Sequence, residues 1–308
     1  MKKYIINFNI FFIKFYFGKR KQMLFLNLFF SDLVNKVASV YGEPEDFMYN
    51  MGSQGYVHII NNINFDCPKH KKREGSDHDV KMLREFFYDT VGWEKFRVEP
   101  DLTVAEMKSS LENISENDFS KYGAFFLIIL SHGTKYGICG KDSNPNTPGN
   151  VLNVEHDVLP LFTNTKCPTL REKPKVFIMQ ACRGDMDDNG YCVESDATMT
   201  QPPDRYKRQI PDTSEYLLCY PCAPGYTSLR NTGIGSIFIQ CLVEVLKERH
   251  DEEDISRMLI RLNYKVARQE NSLRIKQMPS HDNRLTRLTY FKSFFMKKKR
   301  IFEEKGLF

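Results

Sequence analysis

An α/β fold, with a mostly parallel sheet covered by helices on both faces, is predicted by three observations. Strand-like and helix-like runs alternate from residue 56 to residue 291. Several strand runs are apolar at every position rather than every second one, as in Ala124-Phe125-Phe126-Leu127-Ile128-Ile129-Leu130, the mark of a strand buried on both sides. No long polar break divides the pattern, and 308 residues with 41% hydrophobic content can bury one large core, so one folded domain is expected.

In chain order, residues 56–61 read as the first strand. A helix follows over 77–90, where Val80, Leu83, Phe86 and Phe87 recur at helical spacing and Ser76 is available as cap. Thr103-Val104-Ala105-Glu106 is a capping box that opens a helix running to about residue 114. Strands are expected at 124–130, 174–180, 215–220 and 285–291, and helices at 155–162, 236–249 and 254–268.

Two of these strands end in residues that can carry chemistry. His132, in Ser131-His132-Gly133, follows the run 124–130, and Cys182, in Gln180-Ala181-Cys182-Arg183-Gly184, follows the run 174–180. Open α/β sheets bind their ligands beyond the carboxyl ends of the strands. A thiol attacks a carbonyl as thiolate, and a neighbouring imidazole supplies first the base and then the acid. The tetrahedral intermediate needs donors for its oxyanion, and the backbone N–H groups of Gly133 and Cys182 would suffice.

The pentapeptide at Cys182, with its histidine fifty residues upstream, is the signature of the caspases, so the chain is identified as resembling that family rather than derived to be one. The resemblance covers about 47–292. Tyr56-Val57-His58-Ile59-Ile60-Asn61-Asn62 is similar to the family's first strand. Arg73-Glu74-Gly75-Ser76-Asp77 and Ala223-Pro224-Gly225-Tyr226-Thr227-Ser228-Leu229-Arg230-Asn231 resemble the segments that carry its two specificity arginines.

The resemblance implies a three-layer fold with a six-stranded sheet that dimerises through its last strand. It implies that Arg73, Gln180 and Arg230 line an S1 pocket and that Ser228 and Leu229 touch the substrate next to it. Two guanidinium groups and an amide offer charge-assisted, bidentate bonds to one carboxylate, which an Asp side chain satisfies and Asn does not. Unpaired groups in such a pocket support discrimination of roughly 10⁴-fold. The family carries an aromatic residue where this chain has Leu229, and executioner members another where it has Thr227, so S2 is expected to be less aromatic here.

The formal charge of +5 comes from the tails. Residues 1–40 hold seven Lys/Arg against Asp32, and 292–308 hold six against Glu303 and Glu304; between them 31 basic residues face 36 acidic ones. No basic patch carries interleaved stacking aromatics, and nucleic-acid binding is excluded as a function. Eight cysteines at irregular spacing make no disulfide framework, and Cys219-Tyr220-Pro221-Cys222 lacks the second pair a zinc site needs. Reduced thiols and a cytoplasmic location are expected, with no cofactor and no metal.

Residues 1–46 read as a short pro-segment, too short for the helical adaptor domain of initiator caspases. Lys14 and Lys19-Arg20-Lys21 interrupt its apolar runs before they reach about 18 residues, so no membrane span is expected. No small-residue cleavage site precedes Asp32, as a signal peptide would require.

The stretch 185–212 holds three prolines and six aspartates with little apolar periodicity, and reads as a linker the enzyme cuts in itself. Val193-Glu194-Ser195-Asp196 followed by Ala197 looks like a caspase cleavage site. Cutting there gives a large piece, 47–196, and a small one, 197–308, while Asp46 is the candidate for removal of the pro-segment. The function expected is an aspartate-directed cysteine endopeptidase, made as a zymogen and acting in apoptosis. Its partners would be protein substrates with Asp at P1, a second large/small pair in a homodimer, and an upstream initiator caspase. Two other readings conflict with the residues present. A catalytically weak regulator that dimerises with an active caspase would not need the intact set of Cys182, His132, Arg73, Gln180 and Arg230. A related peptidase cutting after Arg or Lys would not have a basic pocket.

Overall fold

Seven successive buried residues in β1 (Gly55–Asn61) and seven in β3 (Ala124–Leu130) leave neither strand a face for water. Both therefore need cover on two sides, and the computed structural model supplies it. The model describes residues 47–49, 51, 54–145, 149–184, 211–269 and 276–291. With β2 (Lys95–Pro100), β4 (Lys175–Gln180), β5 (Tyr216–Tyr220) and β6 (Ser280–Asn283) these strands form one sheet in the order β6-β5-β4-β3-β1-β2. All neighbours are parallel except the edge pair β5 and β6.

Alternate residues of each central strand enter different cores. Phe126, Ile128 and Leu130 of β3 join one core with Leu83 of α1 (Ser76–Arg84), Phe238 and Leu242 of α3 (Ile237–Arg249), and Leu259 and Leu262 of α4 (Ile255–Arg268). Phe125, Leu127 and Ile129 join the other with Met107, Leu111 and Ile114 of α2 (Val104–Ser115). Each buried aromatic or aliphatic side chain contributes about 1.5–3 kcal/mol of transfer free energy, and the strands collect it on both faces.

The capping box at α2 is present: the Thr103 hydroxyl accepts from the Glu106 N–H at 3.1 Å and the Glu106 carboxylate accepts from the Thr103 N–H at 2.8 Å. Four expectations are corrected. The cap of α1 is Gly75, and Ser76 is the first helical residue, its hydroxyl spent on Asn61 and Arg73. The helix expected over 77–90 changes to a π-helical turn at Glu85–Thr90, and the one expected over 155–162 is a π-helical turn at Val154–Val158 followed by a 3-10 turn, Leu159–Phe162, that contains Pro160. The last strand is Ser280–Asn283 rather than 285–291; Leu288 makes only an isolated bridge to Met48, and Phe291 packs against Phe86, Trp93 and Phe126. The edge strand β2 has no counterpart among the expected strands.

Candidate active site

β3 and β4 run parallel with Leu130 opposite Gln180, and beyond them the Ser131 N–H donates to the Gln180 carbonyl at 3.2 Å. His132 and Cys182 thus leave the sheet side by side. The two segments touch backbone to backbone: a Cβ placed on Gly133 would lie 2.2 Å from the Cys182 carbonyl oxygen and 2.9 Å from the Ala181 methyl. Small residues on both sides are what permits this approach. Gly184 has the same reason to be glycine, since a Cβ there would lie 2.2 Å from the Gly225 carbonyl oxygen. The Arg183 N–H donates to Tyr226 and its carbonyl accepts from the Gly225 N–H, so the segment before Ser228 is tied to the segment after Cys182.

The His132 Nε2 stands 2.7 Å from the Lys71 carbonyl oxygen. A carbonyl can only accept, so Nε2 carries the proton and Nδ1 keeps the lone pair. The ring packs against Phe65, with centroids 4.7 Å apart, and stacks on His70 at 5.1 Å. Burial pushes the His132 pKa down to about 4; the Lys71 carbonyl opposes this, and the charges of Arg73, His70 and Arg230 add to it. The imidazole is therefore a neutral base at neutral pH. Among the described residues no hydrogen bond joins it to Cys182. The sulfur instead accepts the Ser228 N–H at 3.3 Å, with the Ser228 hydroxyl 3.6 Å away.

Beside the thiol lies a recess with two cations. Arg73 is 2% exposed, and its Nη1 donates to the Asn62 carbonyl at 3.1 Å and to the Ser76 hydroxyl at 2.8 Å. Burial first, then the like charge of Arg230, lowers its pKa to about 9, and it stays charged at neutral pH. Burial lowers that of Arg230 too, and both arginines are electrostatically coupled to Asp79 and to Cys182. The Arg230 Nε is sealed from solvent without a hydrogen-bond partner among the described residues. Gln180, 2% exposed, donates from Nε2 to the Ser228 hydroxyl at 3.3 Å.

Asp79 was not foreseen as part of this recess. It is fully buried, and accepts from the Ser236 N–H at 2.7 Å and the Ser236 hydroxyl at 2.6 Å. Burial raises its pKa, while those two bonds and the two guanidinium groups pull it down. A carboxylate on the buried stripe of α1, in line with Ser76 and Leu83, was the available signal. Gln277 was also missed: its Oε1 accepts the Leu229 N–H at 2.7 Å and fixes the strand-like stretch through Ser228, Leu229 and Arg230. Arg183 turns away from the thiol and lies over the Tyr220 ring at 3.9 Å.

The structure therefore brings together His132, Gly133, Cys182, Arg73, Gln180, Ser228, Leu229 and Arg230. Asp46 and Asp196 lie outside the described residues. Cys219 and Cys222 are free, buried thiols, and burial raises the pKa of both. Among the described residues no group of three His, Cys, Asp or Glu is placed to hold a metal ion, and no helix is long and apolar enough to cross a membrane.

A neutral imidazole and a thiol at neighbouring parallel strand ends, with two buried guanidinium groups in electrostatic reach, make up the groups that thiol-based nucleophilic chemistry needs. Comparison with known proteins gives the particular kind: the caspase domain model matches residues 54–290, and the chain belongs to the caspase family. It is 35% identical over 255 residues to Caspase-3 of Bos taurus, covering 80% of this chain and 88% of that one. Caspase-7 of Gallus gallus is 36% identical over 259 residues, covering 80% of each chain. The crystal structure of Caspase-1 from Spodoptera frugiperda superposes with a TM-score of 0.66 at 31% identity, over 80% of this chain and 93% of that chain.

Proposed function

We propose that this protein cleaves polypeptides after aspartate, is made as a zymogen, and acts in apoptosis. The observation that supports the specificity is the pair of guanidinium groups, Arg73 and Arg230, in electrostatic reach of the thiol, with Gln180 at the end of β4 bonded to Ser228. Among the described residues Arg230 Nε has no partner, and a substrate carboxylate would supply one. A buried donor left unpaired costs about 1–3 kcal/mol, which binding would return.

In the proposed reaction the Cys182 thiol gives its proton to His132 Nδ1, the thiolate attacks the scissile carbonyl, and the Gly133 and Cys182 N–H groups receive the oxyanion. His132 then passes the proton to the leaving amine, and water releases the acyl group. Ser228 now holds its N–H on the sulfur that must attack. The segment from Ser228 to Arg230 must therefore shift as substrate enters, and a cut at Asp196 would free it to do so. The large piece would carry Arg73, His132, Gln180 and Cys182, the small one Ser228, Leu229 and Arg230. Removal of 1–46 after Asp46, processing by an upstream initiator, a cytoplasmic location and a homodimer built on β6 belong to the same reading.

The test is a pair of tetrapeptide substrates that end in Asp or Asn. The Asp peptide should be cut and the Asn peptide left nearly untouched; equal rates would overturn the assignment of Arg73, Gln180 and Arg230.

A further inference from the structure

The proposed reaction uses His132 and leaves the imidazole stacked on it, His70, without a role. His70 lies at the end of a turn in which its N–H donates to the Cys67 carbonyl at 3.0 Å. Its ring stacks on that of His132 with centroids 5.1 Å apart and planes 19° from parallel. Phe65 closes on both, 5.4 Å from His70 and 4.7 Å from His132. The His70 Nε2 is sealed from solvent and has no hydrogen-bond partner among the described residues.

With its Nε2 sealed and its ring packed against Phe65 and a second imidazole, part-buried His70 is readily held neutral, and that nitrogen is poorly solvated once charged. While neutral, it offers an aromatic face to the imidazolium that His132 becomes after it takes the thiol proton. Once protonated, it sets a like charge against that imidazolium in a partly dehydrated place. We propose that His70 is a positioning residue that acts through His132: neutral, it holds the catalytic ring and supports its protonation; protonated, it opposes that protonation and stops the reaction. The inference rests on the reading of His132 as the base for Cys182.

The charges around the pair come from every element packed on it. Lys69, Lys71, Lys72, Arg73 and Glu74 share its loop, Asp66 and Cys67 precede it, and Cys182 and Arg230 face it from the end of β4 and from the stretch that carries Ser228. Arg73 and Arg230 both disfavour a positive charge on the His132 ring. Burial lowers the His70 pKa as well. Two stacked imidazoles titrate as a pair, in two macroscopic steps.

The sign follows from that coupling. On acidification the first proton goes to the pair at a pH no lower than either ring would show beside a neutral neighbour, and activity is lost there. The second proton arrives later than either ring would accept it alone. His70→Gln removes the partner charge, so the acid edge of kcat/KM should move to lower pH while the titration of His132 itself moves to higher pH. The His132 shift should be roughly one pH unit.

The experiment uses the full chain with ring-labelled histidine. His132 is followed by NMR from pH 8 to pH 4 in Cys182→Ala and in Cys182→Ala with His70→Gln, and kcat/KM for an Asp peptide is measured over the same range in wild type and His70→Gln. Opposite displacement of the two midpoints supports the proposal. Unchanged midpoints, or an equal loss of rate at every pH, would mean that His70 only fills space. His70→Leu is carried in parallel, should Gln fail to fold, and must show the same crossing. The NMR arm needs no substrate, so it reads the coupling even if the protein does not cut after aspartate.

Discussion

Gly133 faces Cys182 so closely that a β-carbon on residue 133 would sit 2.2 Å from the Cys182 carbonyl oxygen and 3.2 Å from its nitrogen. Both are backbone atoms of the residue that bears the thiol, so they cannot yield as a flexible side chain would. Gly133→Ala should push Cys182 and His132 apart. A displacement near 1 Å at reacting groups costs roughly 10²-fold in rate, and kcat/KM for an Asp peptide should fall by at least that. Gly149→Ala is the control, since nothing lies within 4 Å of a Cβ there. Comparable activity in the two variants would show that the contact does not constrain the site.

Arg73→Lys keeps one positive charge and loses the planar fork. The Asn62 carbonyl and the Ser76 hydroxyl would both lose the bonds they now accept from Nη1. Lysine, a point charge on a flexible stem, cannot hold those two acceptors and a substrate carboxylate together. We expect kcat/KM for the Asp peptide to drop roughly 10²-fold or more, with a similar thermal midpoint. Activity within a few-fold of wild type would remove Arg73 from the recess.

Cys182→Ala removes the nucleophile and should end both peptide cleavage and self-processing. Asp196→Ala leaves the nucleophile and removes the proposed cut. Electrophoresis and a peptide assay separate the two: Cys182→Ala and Asp196→Ala should both remain in one piece, an exogenous protease site placed in the linker should let both be cut in two, and only the cut Asp196→Ala chain should then cleave an Asp peptide. Two pieces from Asp196→Ala would put the cut at another aspartate.

The central strands were legible because burial on both faces writes a contiguous apolar run, as in β3 and β4. The edges were not, because burial there does not dictate the residues. β2, Lys95-Phe96-Arg97-Val98-Glu99-Pro100, is half exposed and carries three charges. β6 is Ser280-His281-Asp282-Asn283, with no apolar residue to announce it. The apolar residues of 285–291 drew attention instead, yet Phe291 serves the aromatic cluster around Trp93. At the site, the thiol, the histidine and the two arginines stand in local motifs that can be read along the chain. His70, Lys71 and Gln277 meet the site only through tertiary contacts, with a ring, a carbonyl and an amide that no local pattern marks, and Asp79 is marked only by its place on the buried stripe of α1.

Glu215 is 1% exposed at the start of β5, where its carboxylate accepts from the Thr286 hydroxyl at 2.8 Å and from the Tyr49 hydroxyl. Tyr49 in turn accepts the Thr286 N–H at 3.0 Å. Three segments remote in sequence are thus fastened at one buried carboxylate. Tyr49→Phe leaves that carboxylate short of a donor and should cost about 1–3 kcal/mol, read as a lower urea midpoint. Thr286→Val should cost a similar amount, and the double variant less than the sum, because the two donors share one acceptor. Additive losses would separate the two bonds.

Acid should weaken the fold through two histidines. Burial pushes both His132 and His281 down to about 4 from an ordinary value near 6.5. His281 Nε2 meets Asn263 Oδ1 at 2.8 Å, and its Nδ1 is sealed without a partner among the described residues. The unfolded chain binds protons at both rings below about 6.5 while the folded chain does not. Stability is therefore full above that pH and is lost as pH falls toward 4, by roughly 1.4 kcal/mol per ring for each pH unit between the folded and unfolded values. His281→Gln removes one titrating ring and keeps an amide to meet Asn263. Urea midpoints at pH 7 and pH 4.5 should differ less in His281→Gln than in wild type, and an undiminished difference would mean that His281 is free to take its proton in the folded state.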